Sequence, residues 1–217
     1  ALKPAIERRD LLLKINREAQ FAFGNSLEQK GDLDAAVAIY NKFALENKDS
    51  KLADKAMWNL TQILIKKGQV KAAADKSFEL YKLFPKSEFA QKSLQKSAEL
   101  YEFMADTFHA AEAVKELAKV DTKDSLKWSK ISADFYVLSN EFKKGVDIYK
   151  EVLKTPDQKM RESIVSALTR LDASGIYSNR EVKELIAKYG ESKYSEETIV
   201  AAQKYYEKKD APQAFKL

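Results

Sequence analysis

Small and apolar residues recur along this chain in paired helical stripes. Gly24, Leu27, Gly31, Ala36, Tyr40 and Phe43 set small or apolar side chains at helical spacing on either side of a glycine. The same stations, 37 residues on, read Thr61, Leu64, Gly68, Ala73, Ser77 and Leu80, closed by Pro85. A further 37 residues give Ala98, Tyr101, Ala105, Ala110, Val114 and Leu117. A fourth copy opens with Trp128, Ile131, Ser132 and Phe135 and, with one extra residue at its turn, continues through Asn140, Gly145, Tyr149, Val152 and Pro156. Self-similarity at such a period marks a repeat architecture, and each copy predicts two helices of about fourteen residues joined by a tight turn.

Two such helices pack closely only if a small side chain sits at their crossing and the turn residue tolerates positive φ. Ala36, Ala73, Ala110 and Gly145 supply the first. Gly31 and Gly68 supply the second, Asn140 can replace them, and Ala105 breaks the rule. One hairpin cannot bury its apolar stripe alone, so neighbours must stack. Four repeats are expected at about 17–53, 54–90, 91–124 and 125–157. Residues 1–16, with Ile6, Leu11, Leu12, Leu13 and Ile15, form a helix that leads into the first repeat or remains from a preceding one. Residues 158–217 hold a degenerate fifth hairpin, with a turn at Gly175 and Arg180 at the crossing station, and capping helices, the last over about 195–208.

Composition supports helix and excludes much else. The 217 residues include only six Gly and four Pro, too few for an all-β fold or a glycine-rich phosphate loop. Mean hydropathy is −0.48 and no apolar run approaches a membrane span. With no Cys, disulfides and thiolate metal sites are excluded, and no redox compartment is indicated. No metal-ligand motif is found, no cofactor is expected, and the single imidazole, His109, lies beside the crossing residue Ala110 rather than beside a nucleophile. The reading is non-catalytic. A start at Ala1, without Met or a signal-like segment, reads as a processed or excised piece of something longer. The formal charge of +5 is carried mostly by dispersed lysines, with only six Arg, which argues against a nucleic-acid reader.

The stations resemble the tetratricopeptide repeat (TPR), whose unit reads W-x2-L-G-x2-Y, then G, A-x3-F-x2-A and P. Trp128-x2-Ile131-Ser132-x2-Phe135 matches its first half; Gly68, Ala73 and Pro85 fit its second. The resemblance implies an all-α fold, a right-handed α-solenoid of stacked helix-turn-helix hairpins with a helical C-terminal cap. Tyr81-x2-Phe84-Pro85-x-Ser87-x2-Ala90 looks like the junction common in bacterial cell-envelope members, such as the outer-membrane assembly lipoprotein and the periplasmic protein of the Tol-Pal system. In the other repeats Lys48, Thr122 and Asp157 stand at the proline station. That junction favours periplasm or envelope over cytoplasm.

In the family, the first helix of each hairpin lines a concave groove. The resemblance carries that role onto Glu18, Phe21, Asn25 and Glu28 in the first repeat, Lys55, Trp58 and Gln62 in the second, and Lys92, Gln95, Glu99 and Glu102 in the third. Trp58 is the candidate hot spot, because Met57, Leu60 and Leu64 already occupy the inward stations; the alternative is that it packs against the neighbouring hairpin or caps an edge. Phe21 stands where the family's carboxylate clamp has Lys, with Asn25 retained, which argues against a chaperone-tail ligand. The expected activity is a scaffold that binds a peptide or partner subunit in this groove, within a bacterial envelope complex, with self-association through the exposed ends as a further prospect. The alternative is a basic helical-repeat nucleic-acid binder using Lys92, Lys96, Lys115, Lys119, Lys123, Lys127 and Lys130 on phosphate.

Overall fold

The computed structural model describes the backbone of residues 2–190 and the side chains from residue 6 onward. All regular structure among the described residues is helical. The order is α1 (Leu2–Gln29), α2 (Leu33–Glu46), α3 (Ala53–Lys66), α4 (Val70–Leu83), α5 (Ala90–Phe103), α6 (Thr107–Val120), α7 (Ser125–Leu138), α8 (Phe142–Val152), α9 (Gln158–Ala173) and α10 (Arg180–Tyr189). No helix among them is long and apolar enough to cross a membrane. They sort into two compact units, divided between Ala105 and Asp106.

The odd-to-even turns are made as the spacing requires. Gly31, Gly68, Ala105, Asn140 and Gly175 all take positive φ, between 57° and 80°. At Gly31 the Asp32 amide reaches back to the Leu27 carbonyl at 3.0 Å while the Gly31 amide bonds Glu28, a pattern repeated at Gly68 and Asn140. This satisfies the last carbonyls of the outgoing helix.

In the first unit, α1 to α5 pack in chain order around Phe21, Tyr40, Phe43, Met57, Leu60, Ile63 and Leu80, all buried. The crossing residues Ala36 and Ala73 have no exposed surface. At Gly24 a Cβ would lie 2.7 Å from the Tyr40 ring, so this glycine is the space that the large tyrosine fills. The α4–α5 joint is pinned by Ser97 Oγ donating to the Ala74 carbonyl at 3.0 Å and Tyr101 OH donating to Asp75 at 2.5 Å.

In the second unit, Ala133, Val137, Val146, Tyr149, Ile164, Leu168 and Leu171 lead the core. Ala110 is fully buried, and a Cβ at the buried crossing residue Gly145 would stand 2.7 Å from Val137 Cγ2. The α6–α7 joint repeats the earlier chemistry: Ser132 Oγ donates to the Ala111 carbonyl at 2.9 Å and Tyr136 OH donates to the Glu112 carboxylate.

Three expectations are corrected or sharpened. The fourth copy carries no extra residue at its turn; instead its α6–α7 connection, residues 121–124, is shorter than the equivalent stretches 47–52 and 84–89. The register therefore moves by one, placing Ala133 and Tyr136 in the core and leaving Trp128, Ile131 and Phe135 half-buried. The helix expected over residues 1–16 leads straight into the first repeat, since α1 runs unbroken from Leu2 to Gln29. In the fifth hairpin α10 begins at Arg180, which is exposed, and Val182 and Leu185 make the contact with α9. The capping helix expected over 195–208 lies outside the described residues.

Candidate functional site

The helices begin in two ways. Asp32, Asp106, Asp157 and Asn179 cap α2, α6, α9 and α10 through side-chain oxygens that accept from backbone amides. By contrast α3 and α5 begin after Leu52 and Phe89, which cannot cap. Their connections are closed one step earlier: Ser50 Oγ accepts from the Leu52 amide at 3.2 Å, and Ser87 Oγ accepts from the Phe89 amide at 3.0 Å while donating to Asp54 at 2.6 Å. The Ser87-x2-Ala90 junction thus has a counterpart in Ser50-x2-Ala53, and its chemistry is that of a helix start.

The groove residues named from sequence divide into three groups. Phe21 is a correction: it is 7% exposed, its ring 5.7 Å from Tyr40 and 6.0 Å from Phe43, because the space at Gly24 draws Tyr40 against α1 and Phe21 closes over it. Asn25 and Glu28 are half-buried and occupied with structure. Tyr40 OH donates to Asn25 Oδ1 at 2.5 Å, Asn59 Nδ2 donates to the same hydroxyl at 3.3 Å, and Lys66 bridges Glu28 at 3.0 Å. Burial, with the Glu28 charge as a lesser cause, pushes the Tyr40 phenol up. Glu99 is exposed and paired with Lys96 at 2.5 Å; Gln95 is half-buried. Gln62 is half-buried, and its Nε2 is enclosed without a hydrogen-bond partner among the described residues.

Lys55, Trp58 and Lys92 remain. The indole of Trp58 is half-buried and stacks on Phe89, ring centroids 5.5 Å apart and planes 17° from parallel. No hydrogen bond occupies its indole N–H among the described residues, whereas the other tryptophan, Trp128, donates to Asp121 at 3.0 Å. Lys55, one turn before Trp58, is exposed with Nζ 5.9 Å from the Phe21 ring. Lys92, three residues past Phe89, is exposed. Neither lysine has a carboxylate within ion-pair distance among the described residues. Phe89 escaped the sequence reading because it lies in a connection; the signal was its position 37 residues after Leu52.

Other candidates are self-satisfied. His109 is exposed with Nδ1 2.8 Å from the Asp106 carboxylate. No group of three or more His, Asp or Glu among the described residues could hold a metal. A cavity of about 770 Å³ beside α1 is lined by Arg17 and Asp49, which already grip each other at 2.7 and 2.9 Å, and the guanidinium holds the Asp49 carboxyl below its usual range. Of the lysines considered for phosphate binding, Lys96, Lys119 and Lys130 are bridged to Glu99, Glu116 and Asp134.

Successive antiparallel helix pairs, positive-φ turns at a spacing of 35 to 37 residues and small residues at the crossings define a TPR-like helical-repeat protein. No family model matches the chain, and no curated protein does. Among solved structures it is similar to a putative kinesin light chain with nearly identical TPR-like repeats from Podosopora anserina, at 14% identity and a TM-score of 0.42, covering 81% of this chain and 94% of that one. It is also similar to MamA from Desulfovibrio magneticus RS-1, at 12% identity and 0.40, covering 81% and 93%. Likeness at this level says nothing of what the chain binds.

Proposed function

We propose that this chain is a non-catalytic protein-interaction scaffold, and that its binding face in the first unit is the exposed side of α3 and α5. The observation that carries this is the half-buried Trp58–Phe89 stack with a vacant indole N–H. A large aromatic surface with an unused donor is the composition of a binding hot spot, since Trp and Tyr tips seek partners when covered. Rigid helices hold that surface in place, so little ordering cost falls on this side of a complex. The four repeat boundaries given above, and placement in a bacterial envelope, belong to the same proposal; the second is supported by the Tyr81–Ala90 junction alone.

The test is affinity capture with the wild-type chain and a Trp58→Ala variant as parallel baits, after nuclease treatment, with circular dichroism of both. Truncating a hot-spot Trp costs about 1–3 kcal/mol of binding, a loss of affinity of about fivefold to over a hundredfold. Equal retention by two equally folded baits moves the binding face elsewhere.

A further inference from the structure

The helices α3, α5 and α7 are each covered by the helix before them, α2, α4 and α6. Two serines mark the station that faces the covering helix, since Ser97 Oγ reaches the Ala74 carbonyl on α4 and Ser132 Oγ the Ala111 carbonyl on α6. Leu60 holds that station in α3 and is buried, as is Ala56 one turn earlier. In α1 the same stations, 37 residues back, are Ala19 and Phe23, and both are exposed. The bare strip continues toward the N-terminus. Leu12, Ile15, Ala19 and Ala22 recur at helical spacing with Leu11 beside them, on the side of α1 opposite the Phe21 and Gly24 positions that meet Tyr40. Leu11, Leu12, Ile15 and Phe23 are between 53% and 60% exposed. The first three stand where α1 outruns its hairpin: α1 has 28 residues against 14 in α2, and Arg17 already meets Asn47 and Asp49, just past the end of α2.

We infer that this strip is a dimer contact, on which α1 of a second copy lies antiparallel about a twofold axis passing between Ile15 and Ala19. The strip continues the stacking interface of the hairpins, so its occupant is a helix. It is also complementary to itself, being bulky at Leu12 and Ile15 and small at Ala19 and Ala22. Antiparallel apposition sets Leu12 over Ala22 of the second copy and Ile15 over Ala19 of the second copy, and the alanines let the two axes approach. Parallel apposition would put bulk on bulk and leave a gap at the alanines. A twofold contact of this kind closes after two copies. Half of four large side chains is about 400 Å² of bare apolar surface, the size at which a patch on a monomer marks an interaction site. Two such strips hide about 800 Å² before their flanks are counted, close to the lower edge of specific interfaces. Glu18, beside the strip, has its own counterion in Lys14 at 3.9 Å. The last described helix offers no matching seat, because α10 exposes Lys183, Glu184 and Lys188. The dimer does not depend on the Trp58–Phe89 reading; it gives the scaffold two copies of that surface.

Sedimentation equilibrium of the chain from about 1 to about 300 µM should show monomer and dimer with a dissociation constant on the order of tens of micromolar, as suits a small interface. Ile15→Glu should weaken association at least about tenfold, because the contact would bury a charge. Phe103→Ser, at an apolar side chain 79% exposed on α5, should leave it unchanged. Both side chains are exposed in the single chain, so both variants should melt with wild type at the lowest concentration. The register is read by cross-linking, which the absence of Cys keeps free of background. An oxidised mixture of Leu12→Cys and Ala22→Cys chains should give a mixed covalent dimer. Leu12→Cys alone should give none, its two copies standing about 15 Å apart along the pair. A chain that stays monomeric throughout leaves the strip to a helix of another protein and overturns the dimer. Association that survives Ile15→Glu, or is lost in Phe103→Ser, overturns it by placing the contact elsewhere. Ready cross-linking of Leu12→Cys alone makes the pairing parallel and overturns the antiparallel register. None of these outcomes bears on the Trp58→Ala capture, so the two readings fail separately.

Discussion

Ala105 takes φ of 57° at a station where Gly31 and Gly68 take 80° and 68°. An L-residue with a Cβ in this region costs about 1–2 kcal/mol, and Asn pays less because its side chain tolerates the left-handed conformation. Ala105→Gly should therefore raise stability by about 0.5–1 kcal/mol after the extra freedom of the unfolded glycine is counted. Asn140→Gly should gain less. Chemical denaturation of both variants checks this, and equal midpoints would show that Ala105 stores no strain. The exception was visible in the sequence as a missing glycine, and the structure shows that the turn forms regardless of it. Phe21 was not legible in the same way. Spacing from the crossing residue put it on the groove face, and only the ring of Tyr40, drawn into the space at Gly24, explains why Phe21 turns inward. The sequence offered packing of Trp58 against the neighbouring hairpin as an alternative but could not name Phe89, which comes from a connection whose course no periodicity describes.

Between elements, fit at the crossing decides whether hairpins form. Ala73 has no exposed surface, and a methyl added at Gly145 would stand only 2.7 Å from Val137 Cγ2, with the Ala133 carbonyl oxygen at 3.0 Å. Ala73→Leu should cost about 1–3 kcal/mol by overpacking, and Gly145→Ala a cost of similar order, since backbone atoms of α7 as well as a side chain must give way. Thermal melts with native-like circular dichroism and unshifted midpoints would break the crossing assignment. These stations were readable because small residues recur with the turn. The one-residue slip in the fourth copy arose where that link was lost, since shortening a connection alters spacing without altering any helix, and the Trp128 motif then matched the family pattern one position early. The inter-hairpin pins, Ser97 with Tyr101 and Ser132 with Tyr136, carry no signal in hydrophobicity at all; they are polar groups in apolar stripes and show their role only when the acceptor helix is in place.

Across the molecule, buried phenols hydrogen-bonded to carboxylates set how stability depends on pH. Burial comes first, then a hydrogen-bonded or nearby carboxylate, in holding the phenols of Tyr136 and Tyr149 above their usual range; Tyr149 OH donates to Asp134 at 2.5 Å, and Lys130 holds that carboxylate at 2.7 Å. A group harder to ionise folded than unfolded contributes stability that is whole below its unfolded pKa, about 10 for Tyr, and is lost as pH rises toward the folded value. Stability should thus decline above about pH 10, and tyrosinate absorbance from these residues should appear only together with loss of helix. On the acid side the sign reverses. Glu181 is held below its usual range by hydrogen bonds from Lys150 first and Lys143 second, at 2.8 and 3.2 Å, so its contribution is present above the unfolded carboxyl value and lost as pH falls through the folded one. That ion triad is solvent-exposed and screened, so salt should weaken the acid limb while leaving the alkaline limb, which depends on buried phenols, nearly unmoved. Tyr149→Phe separates the two: it should flatten the alkaline decline, at the expense of a hydrogen bond to Asp134, and leave the acid decline in place. An alkaline limb that persists unchanged in both Tyr136→Phe and Tyr149→Phe would assign it to lysine deprotonation across the ion pairs instead.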